Sequence, residues 1–185
     1  FVGSHAAEFG PWPVSEGLCT LESHRELPIT TQAKDLFSTE LIDDVIIGNM
    51  FAADAELEAL GKLDRDLLCL EVEFHEATTA LERKIVLEEP HFVRGDVSEY
   101  LLRSTMSRVK YKGESFLPHD TEEIKPGDII IESDLYKRYA GELQIALKPM
   151  KNSGKSNRVA VVKSYETYLI HTLAPWQSFR FIEKK

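Results

Sequence analysis

The chemistry-bearing residues of the first part of the chain are concentrated in one loop, at positions 16–25. Glu16 and Glu22 supply carboxylates, His24 an imidazole and Arg25 a guanidinium. In a β/α barrel, the loops that follow the strands lie where active sites are built. The whole loop is therefore a candidate part of a site, although the same mixture of side chains is equally common in solvated loops and helix caps.

Gly48-Asn49 is a second candidate, because it follows the β-branched run 42–48 and precedes a helical segment. Backbone N–H groups and a helix amino terminus converge at such a turn and can bind phosphate. A phosphorylated sugar would suit this position. A simple turn requires the same two residue types, so both interpretations stay open.

The most basic stretch of the second part of the chain runs from Arg103 to Lys112. Period-two alternation predicts that Arg108, Lys110 and Lys112 lie on one face of a strand. Together with Arg103, they could hold a phosphate or carboxylate through charge-assisted hydrogen bonds. A solvated strand face is the more frequent outcome for such charges.

A further cluster, at positions 134–144, places aromatic side chains beside ionisable ones. Tyr136, Arg138 and Glu142 form a pattern that is typical of carbohydrate contacts. Its aromatic residues could equally belong to a hydrophobic core.

Two other signals carry no function. Gly154-Lys155-Ser156 resembles the end of a P-loop, but Pro149 stands where that loop requires glycine. The six histidines lack metal-ligand spacing, so we predict no metal site, and we predict no cofactor.

Composition restricts the partners and the compartment. A net charge of -9 repels nucleic acid and anionic membrane surfaces, so we expect neither as a partner. The two cysteines form no disulfide framework, which favours the cytoplasm. No apolar run reaches the roughly 18 residues of a membrane span.

The sequence pattern of residues 1–62 predicts a strand, a helix, a second strand and a second helix, in that order. Residues 1–4 and 42–48 are the strand candidates, and the helix candidates are 28–37 and 53–60, with Asp54 as the N-cap of the second. Two such units cannot bury both faces of a parallel sheet by themselves. We therefore expect further sequence or a homo-oligomer to cover the open edge.

Residues 63–185 predict a second domain of mainly antiparallel strands. The alternation from Leu68 to His75 is typical of a half-buried strand, and Thr79 with Glu82 predicts a capping box. Strand candidates follow near 92, 100–106, 129–132, 142–147, 158–164 and 178–182. This spacing favours a small barrel or sandwich.

Several of these segments together resemble the bacterial 6-phospho-N-acetylmuramidase family. They are EGLCTLESHR, IDDVIIGN, LRSTMSR, KPGDIIIESDLYKRYAGELQIAL and PWQSFRF. The resemblance implies an α+β fold in which a carboxy-terminal cyclophilin-like antiparallel β-barrel follows the last two β/α units of a TIM barrel. The chain would then be the carboxy-terminal portion of a family member.

The resemblance also implies hydrolysis of 6-phospho-N-acetylmuramic acid saccharides during cell-wall recycling. A phosphorylated amino-sugar saccharide would be the partner, with Glu16, His24, Arg103, Arg108, Tyr136, Arg138 and Glu142 at family positions. The catalytic carboxyl groups are expected on earlier strands, so this fragment alone should be inactive. The alternative is a non-catalytic β-barrel module that binds carbohydrate or peptide.

Overall fold

The computed structural model describes residues 1–7, 19–96 and 98–183, and divides the chain into two compact units, Phe1–Leu68 and Cys69–Lys185. The sequence-based division into independent domains 1–62 and 63–185 stays a prediction. Within the described residues, the helices are α1 Ile29–Ser38, α2 Asp54–Gly61, α3 Ala80–Glu88 and α4 Met106–Lys110. The strands are β1 Leu68–Phe74, β2 His91–Phe92, β3 Leu101–Ser104, β4 Asp128–Glu132, β5 Leu143–Ala146, β6 Ser156–Val162 and β7 Ser178–Glu183.

The core of the first unit lies between α1 and two extended segments. Val2, Ile29, Ala33 and Leu36 are buried there, and partly buried Ile47 packs against them. The extended segments meet in a single parallel bridge between Val2 and Ile47. The predicted strands 1–4 and 42–48 are therefore wrong in extent, because no longer ladder forms between the described residues.

Polar side chains replace the missing ladder. Gln32 Oε1 accepts from the Gly3 N–H at 2.8 Å, and its Nε2 donates to the Gly3 carbonyl at 3.0 Å. Asn49 does the same for Ser4, at 2.9 Å and 2.6 Å. These side-chain amides satisfy backbone groups that a neighbouring strand would otherwise satisfy.

The second helix begins one residue away from its predicted cap. Ala53 is the N-cap, and Glu56 Oε2 accepts from its N–H at 3.0 Å. Asp54 is the first helical residue, so the prediction of Asp54 as N-cap is wrong. A carboxylate reaching back from the third helical position has satisfied the free N–H instead.

The second unit is built on a seven-stranded sheet in the order β2-β7-β1-β6-β4-β5-β3. Pairs β1–β6, β2–β7, β3–β5, β4–β5 and β4–β6 are antiparallel. The edge strands β2 and β3 also contact each other, and the Arg94 N–H donates to the Arg103 carbonyl at 3.0 Å. The result is a mixed α/β chain with a nearly closed, barrel-like sheet.

The central strand β4 is buried on both faces, as its β-branched sequence favours. Ile129 and Ile131 are fully buried, while Ile130 on the opposite face packs with Ile124 and Ala146. The segment around Ile124 therefore covers part of that second face.

Helix α3 carries the predicted capping box. Thr79 Oγ1 accepts from the Glu82 N–H at 3.3 Å, and Glu82 Oε2 accepts from the Thr79 N–H at 2.9 Å. This prediction is confirmed. Among the described residues, no helix has both the length and the apolar character that crossing a bilayer requires.

The basic stretch after β3 is helical, so the prediction that Arg108, Lys110 and Lys112 share one strand face is wrong. Arg108 and Lys110 lie in α4, and Lys112 lies beyond its end. Ser107 explains the change of direction, because its buried hydroxyl donates to the Gly141 carbonyl at 2.6 Å and accepts from the Leu143 N–H at 3.2 Å. These contacts hold the turn of α4 against the start of β5.

Candidate functional site

The centre of the candidate site is Glu142, which immediately precedes β5 and is fully buried. Antiparallel pairing places Arg103 of β3 opposite Gln144 of β5, which lies two residues after Glu142 in the chain. Arg103 Nε and Nη2 lie 2.6 Å and 2.5 Å from Glu142 Oε1. Although burial by itself lowers the pKa of Arg103, the hydrogen bond and charge of Glu142 raise it overall, so the guanidinium stays charged.

The second oxygen of Glu142 faces Arg108. Arg108 Nε lies 3.1 Å from Glu142 Oε2, but this oxygen accepts no well-directed hydrogen bond from any described residue. Both guanidinium groups also lie over the ring of Tyr139, at 5.3 Å for Arg103 and 5.1 Å for Arg108. Carboxylate and aromatic ring together fix the orientation of the two arginines.

A cleft of about 500 Å³ opens beside this cluster. Four of its lining side chains are cationic, namely Arg108, Lys112, Lys137 and Arg138, and among the lining residues Glu114 is the one carboxylate. Arg108 belongs to both the cleft and the Glu142 cluster. The cleft therefore concentrates positive charge in a chain whose net charge is -9.

The wall formed by residues 137–141 depends on a glycine. Gly141 has φ +81°, and a Cβ at this position would lie 2.7 Å from Phe116 Cε2. Its N–H donates to the Glu132 carbonyl at 2.8 Å, and Arg108 Nη1 donates to the Arg138 carbonyl at 3.4 Å. These contacts hold the two walls together without using the Arg138 side chain.

Tyr136 lies beside this arrangement. It is largely exposed, its ring is 4.9 Å from that of Tyr139, and Lys155 Nζ lies 5.5 Å from the Tyr136 ring. The structure thus brings Arg103, Arg108, Arg138 and Glu142 together, with Tyr136 adjacent.

The predicted residues of the first unit have other surroundings. His24 is fully buried, with Nε2 2.7 Å from Asp35 Oδ2. The Gly48 N–H donates to the Val2 carbonyl at 2.8 Å, and the Asn49 amide binds Ser4. The Gly48 N–H and the Asn49 side chain are thus engaged inside the fold, and the predicted phosphate contact at this turn stays a prediction. Glu16 lies outside the described residues.

Sequence reasoning did not select Tyr139 and Lys137 as site residues, whereas Lys112 had already been named in the basic stretch. Tyr139 was read as part of an aromatic cluster, yet its role as a support for two arginines depends on tertiary contacts. Lys112 and Lys137 line the cleft from segments 25 residues apart. Their common sign within an acidic chain was the one available signal. Among the described residues, no group of three or more His, Cys, Asp or Glu side chains could hold a metal ion.

Family models match both parts of the chain. Residues 68–182 match the model described as 6-phospho-N-acetylmuramidase, C-terminal, and residues 1–62 match the model described as 6-phospho-N-acetylmuramidase, N-terminal. The chain belongs to the 6-phospho-N-acetylmuramidase family. Since models of both parts of the family's proteins match, the prediction that the chain is a carboxy-terminal portion is not borne out.

Two solved structures resemble this member of the family. An uncharacterized B. cereus protein is 44% identical with a TM-score of 0.95, and the match covers 99% of this chain and 53% of that one. A conserved Enterococcus faecalis protein of unknown function is 22% identical with a TM-score of 0.73, covering 99% of this chain and 48% of that one, and it supports the fold alone. The chain thus spans about half the length of these structures. The search of curated proteins found no match.

Glu132, beside the Glu142 cluster, is a titratable group with an altered proton affinity. It is buried on β4, and the Ser156 hydroxyl donates to its Oε2 at 2.9 Å. Burial raises the pKa of Glu132 to about 7; the charge of Glu142 adds to the rise, while the Ser156 hydrogen bond and the cations Arg103 and Lys155 oppose it. Near neutral pH, this carboxyl group therefore exists in both protonation states.

We expect Glu132→Gln to remove part of the pH dependence of stability. Because the folded-state pKa is raised from 4.5 to about 7, the folded state retains a proton that the unfolded state releases, and stability falls as pH rises through that window. As the pH rises from 4.5 to 8, the free energy of unfolding of the variant should therefore increase by on the order of 3 kcal/mol relative to that of the parent. Denaturant unfolding at several pH values measures these free energies, with Glu99→Gln as the exposed control. If the difference in free energy of unfolding between Glu132→Gln and the parent is the same at every pH, the prediction is contradicted.

Proposed function

We propose that this chain is part of a glycoside hydrolase that cleaves 6-phospho-N-acetylmuramic acid saccharides in cell-wall recycling, and that its cationic cleft binds the phosphate of the sugar. The observation that carries the proposal is the four cationic side chains around one cleft in an acidic protein. Membership of the family supplies the substrate class.

The chemistry of the cleft suits a phosphate monoester. Such a group carries close to two negative charges at neutral pH and presents three acceptor oxygens. Arg138 can offer a planar fork of donors to these oxygens, whereas Lys112 and Lys137 act as compact charges. Arg108 is oriented by Glu142 before any ligand arrives, which reduces the ordering cost of binding.

Hydrolysis of a glycosidic bond requires more than this cleft contains. A pair of carboxyl groups must protonate the leaving oxygen and either attack the anomeric carbon or activate a water. Glu114 is the one carboxylate among the lining residues. We therefore propose that the 185-residue chain binds the saccharide without hydrolysing it, and that the catalytic pair belongs to another part of the enzyme.

The finer description of the fold belongs to the same proposal. We infer a cyclophilin-like barrel in the second unit and a remnant of a TIM barrel in the first, supported by the nearly closed sheet with its five antiparallel pairs given above and by the parallel Val2–Ile47 bridge. A cytoplasmic location and a homo-oligomer that covers the open edge of the first unit are further proposals.

Binding and turnover can be measured on the same protein. We expect calorimetry to show saturable binding of the disaccharide of N-acetylglucosamine and 6-phospho-N-acetylmuramic acid, and chromatography to show no released sugar. The same disaccharide without phosphate should bind about tenfold or more weakly, since a charge-assisted hydrogen bond contributes about 1.5–3 kcal/mol. Equal affinity for the two disaccharides contradicts the phosphate site, and release of sugar contradicts the lack of hydrolysis.

A non-catalytic module that binds carbohydrate or peptide is the second candidate. The single carboxylate in the cleft lining favours it. Acidic peptides tested in the same calorimeter separate the two candidates: tighter binding of peptide than of phosphosugar supports the module, and the reverse supports the hydrolase.

A further inference from the structure

Trp176 occupies an unusual place in the turn that precedes β7. The Gln177 N–H donates to the Ala174 carbonyl at 3.1 Å, which makes Pro175 and Trp176 the central residues of the turn. Trp176 has φ +69° and is 69% exposed. Glycine or asparagine usually fills a turn position with positive φ, and a bulky side chain there is a genuine outlier. The fold thus holds a large apolar ring in solvent on a strained backbone.

The neighbouring segment is shaped to support the indole. A Cβ on Gly95 would lie 2.5 Å from Trp176 Cζ2, so only glycine allows the ring to approach this closely. Phe92 stacks at 6.2 Å between ring centroids with an interplanar angle of 24°. The backbone N–H of Trp176 donates to the Val93 carbonyl at 2.8 Å, and the backbone N–H of Val93 donates to the Gln177 carbonyl at 3.0 Å, so the two segments are joined through their backbones. One side of the indole is therefore supported by protein.

The two chain neighbours of Gly95 carry planar polar side chains. Arg94 and Asp96, the neighbours of Gly95, pair at 2.7 Å and 2.8 Å through two nitrogen–oxygen contacts. Asp96 also lies 3.5 Å from Arg103, which binds Glu142. Through Glu142, this chain of ion pairs continues to Arg108 in the cationic cleft. One polar network thus runs from the neighbours of Gly95 to the cationic cleft.

We propose that Trp176 is a stacking platform for a pyranose ring, and forms a saccharide subsite distinct from the cationic cleft. The apolar C–H face of a pyranose can cover an exposed indole, and its equatorial hydroxyls require donors and acceptors nearby; Arg94 and Asp96, the chain neighbours of Gly95, are the side chains we assign to this role. A glycine would avoid the strain of the positive φ, so an exposed tryptophan at this position agrees with a functional reason for the residue. The choice of a saccharide as ligand rests on the proposed function. The observations that the indole is supported by its neighbours and that its backbone is strained do not depend on that function.

Fluorescence of Trp176 reports on the platform directly. Trp12 is the other tryptophan of the chain, so Trp12→Phe leaves Trp176 as the single indole. We expect saturable changes in emission with the disaccharide of N-acetylglucosamine and N-acetylmuramic acid, both without and with the 6-phosphate. Trp176→Gly, tested by calorimetry, should weaken binding of both disaccharides by tenfold or more without lowering the Tm, because glycine relieves the positive φ. Gly95→Ala, which retains the indole but displaces it, should give a similar loss.

Arg138→Glu separates this inference from the proposed function. If both are correct, this variant weakens binding of the phosphorylated disaccharide alone, whereas Trp176→Gly weakens binding of both. If Trp176→Gly weakens binding of both disaccharides and Arg138→Glu changes neither affinity, the platform is supported and the phosphate cleft is refuted. Unchanged binding of the unphosphorylated disaccharide by Trp176→Gly overturns the platform, whatever the cleft variant does.

Discussion

Replacing Glu142 by alanine is expected to lower the free energy of unfolding by about 3 kcal/mol, because removing one partner of a buried ion pair leaves the other charge uncompensated. Arg103 and Arg108 would lose the carboxylate that balances both. Their side chains are 19% and 25% exposed, so partial rehydration keeps the loss at the lower end of the usual range. Glu142→Gln keeps the shape and one acceptor, and should lose less.

Denaturant unfolding of the parent and the variants measures this effect. Glu99→Ala is the matched control, since Glu99 pairs with Lys148 on the surface and its loss should not change stability measurably. A Glu142→Ala protein that unfolds within 0.5 kcal/mol of the parent would show that the cluster is not a stabilising centre, a result well below the expected loss.

Local signals in the sequence predicted much of the secondary structure. The Thr79–Glu82 capping box is complete within four residues, and the β-branched runs of β4 and β6 match strand preferences. Helix α1 follows from its apolar spacing. These features depend on neighbours in sequence, so a pattern along the chain is enough to predict them.

The features that the sequence pattern did not predict depend on contacts between residues that are distant in the chain. The chain after β3 alternates like a strand, but Ser107 binds the backbone of Gly141 and Leu143 and favours a helical turn. Gly48-Asn49 was predicted as a phosphate-binding turn, and no sequence pattern indicated that the Asn49 side chain binds Ser4, 45 residues away. Arg103 and Glu142, 39 residues apart, were each selected as site residues, but their pairing became apparent only from the register of β3 and β5.

Removing the exposed cations of the cleft should have the largest effect on ligand binding. We expect Arg138→Ala to weaken binding of N-acetylmuramic acid 6-phosphate by about tenfold to a hundredfold, equivalent to about 1.5–3 kcal/mol for a charge-assisted contact. Arg138→Lys retains the charge without the planar fork of donors, so its affinity should lie between those of the parent and of Arg138→Ala. Calorimetry measures both, with Lys151→Ala as a control for an exposed cation outside the cleft lining.

The salt dependence of the same titrations provides a second readout. The parent should lose affinity as ionic strength rises, and Arg138→Ala should lose less, since fewer cations remain to be screened. If Arg138→Ala and Lys151→Ala bind the phosphosugar as well as the parent does, the cleft does not bind phosphate.

The location of the phosphate tests the central claim most directly. Amide resonances of the labelled protein, followed during titration with N-acetylmuramic acid 6-phosphate and with unphosphorylated N-acetylmuramic acid, report which segments meet that group. We predict that the differences between the two titrations concentrate at residues 108–114 and 137–140, the two segments that contain the residues lining the cleft. Differences confined to the first unit, around Gly48 and Asn49, would contradict the assignment of the phosphate to the β-rich unit.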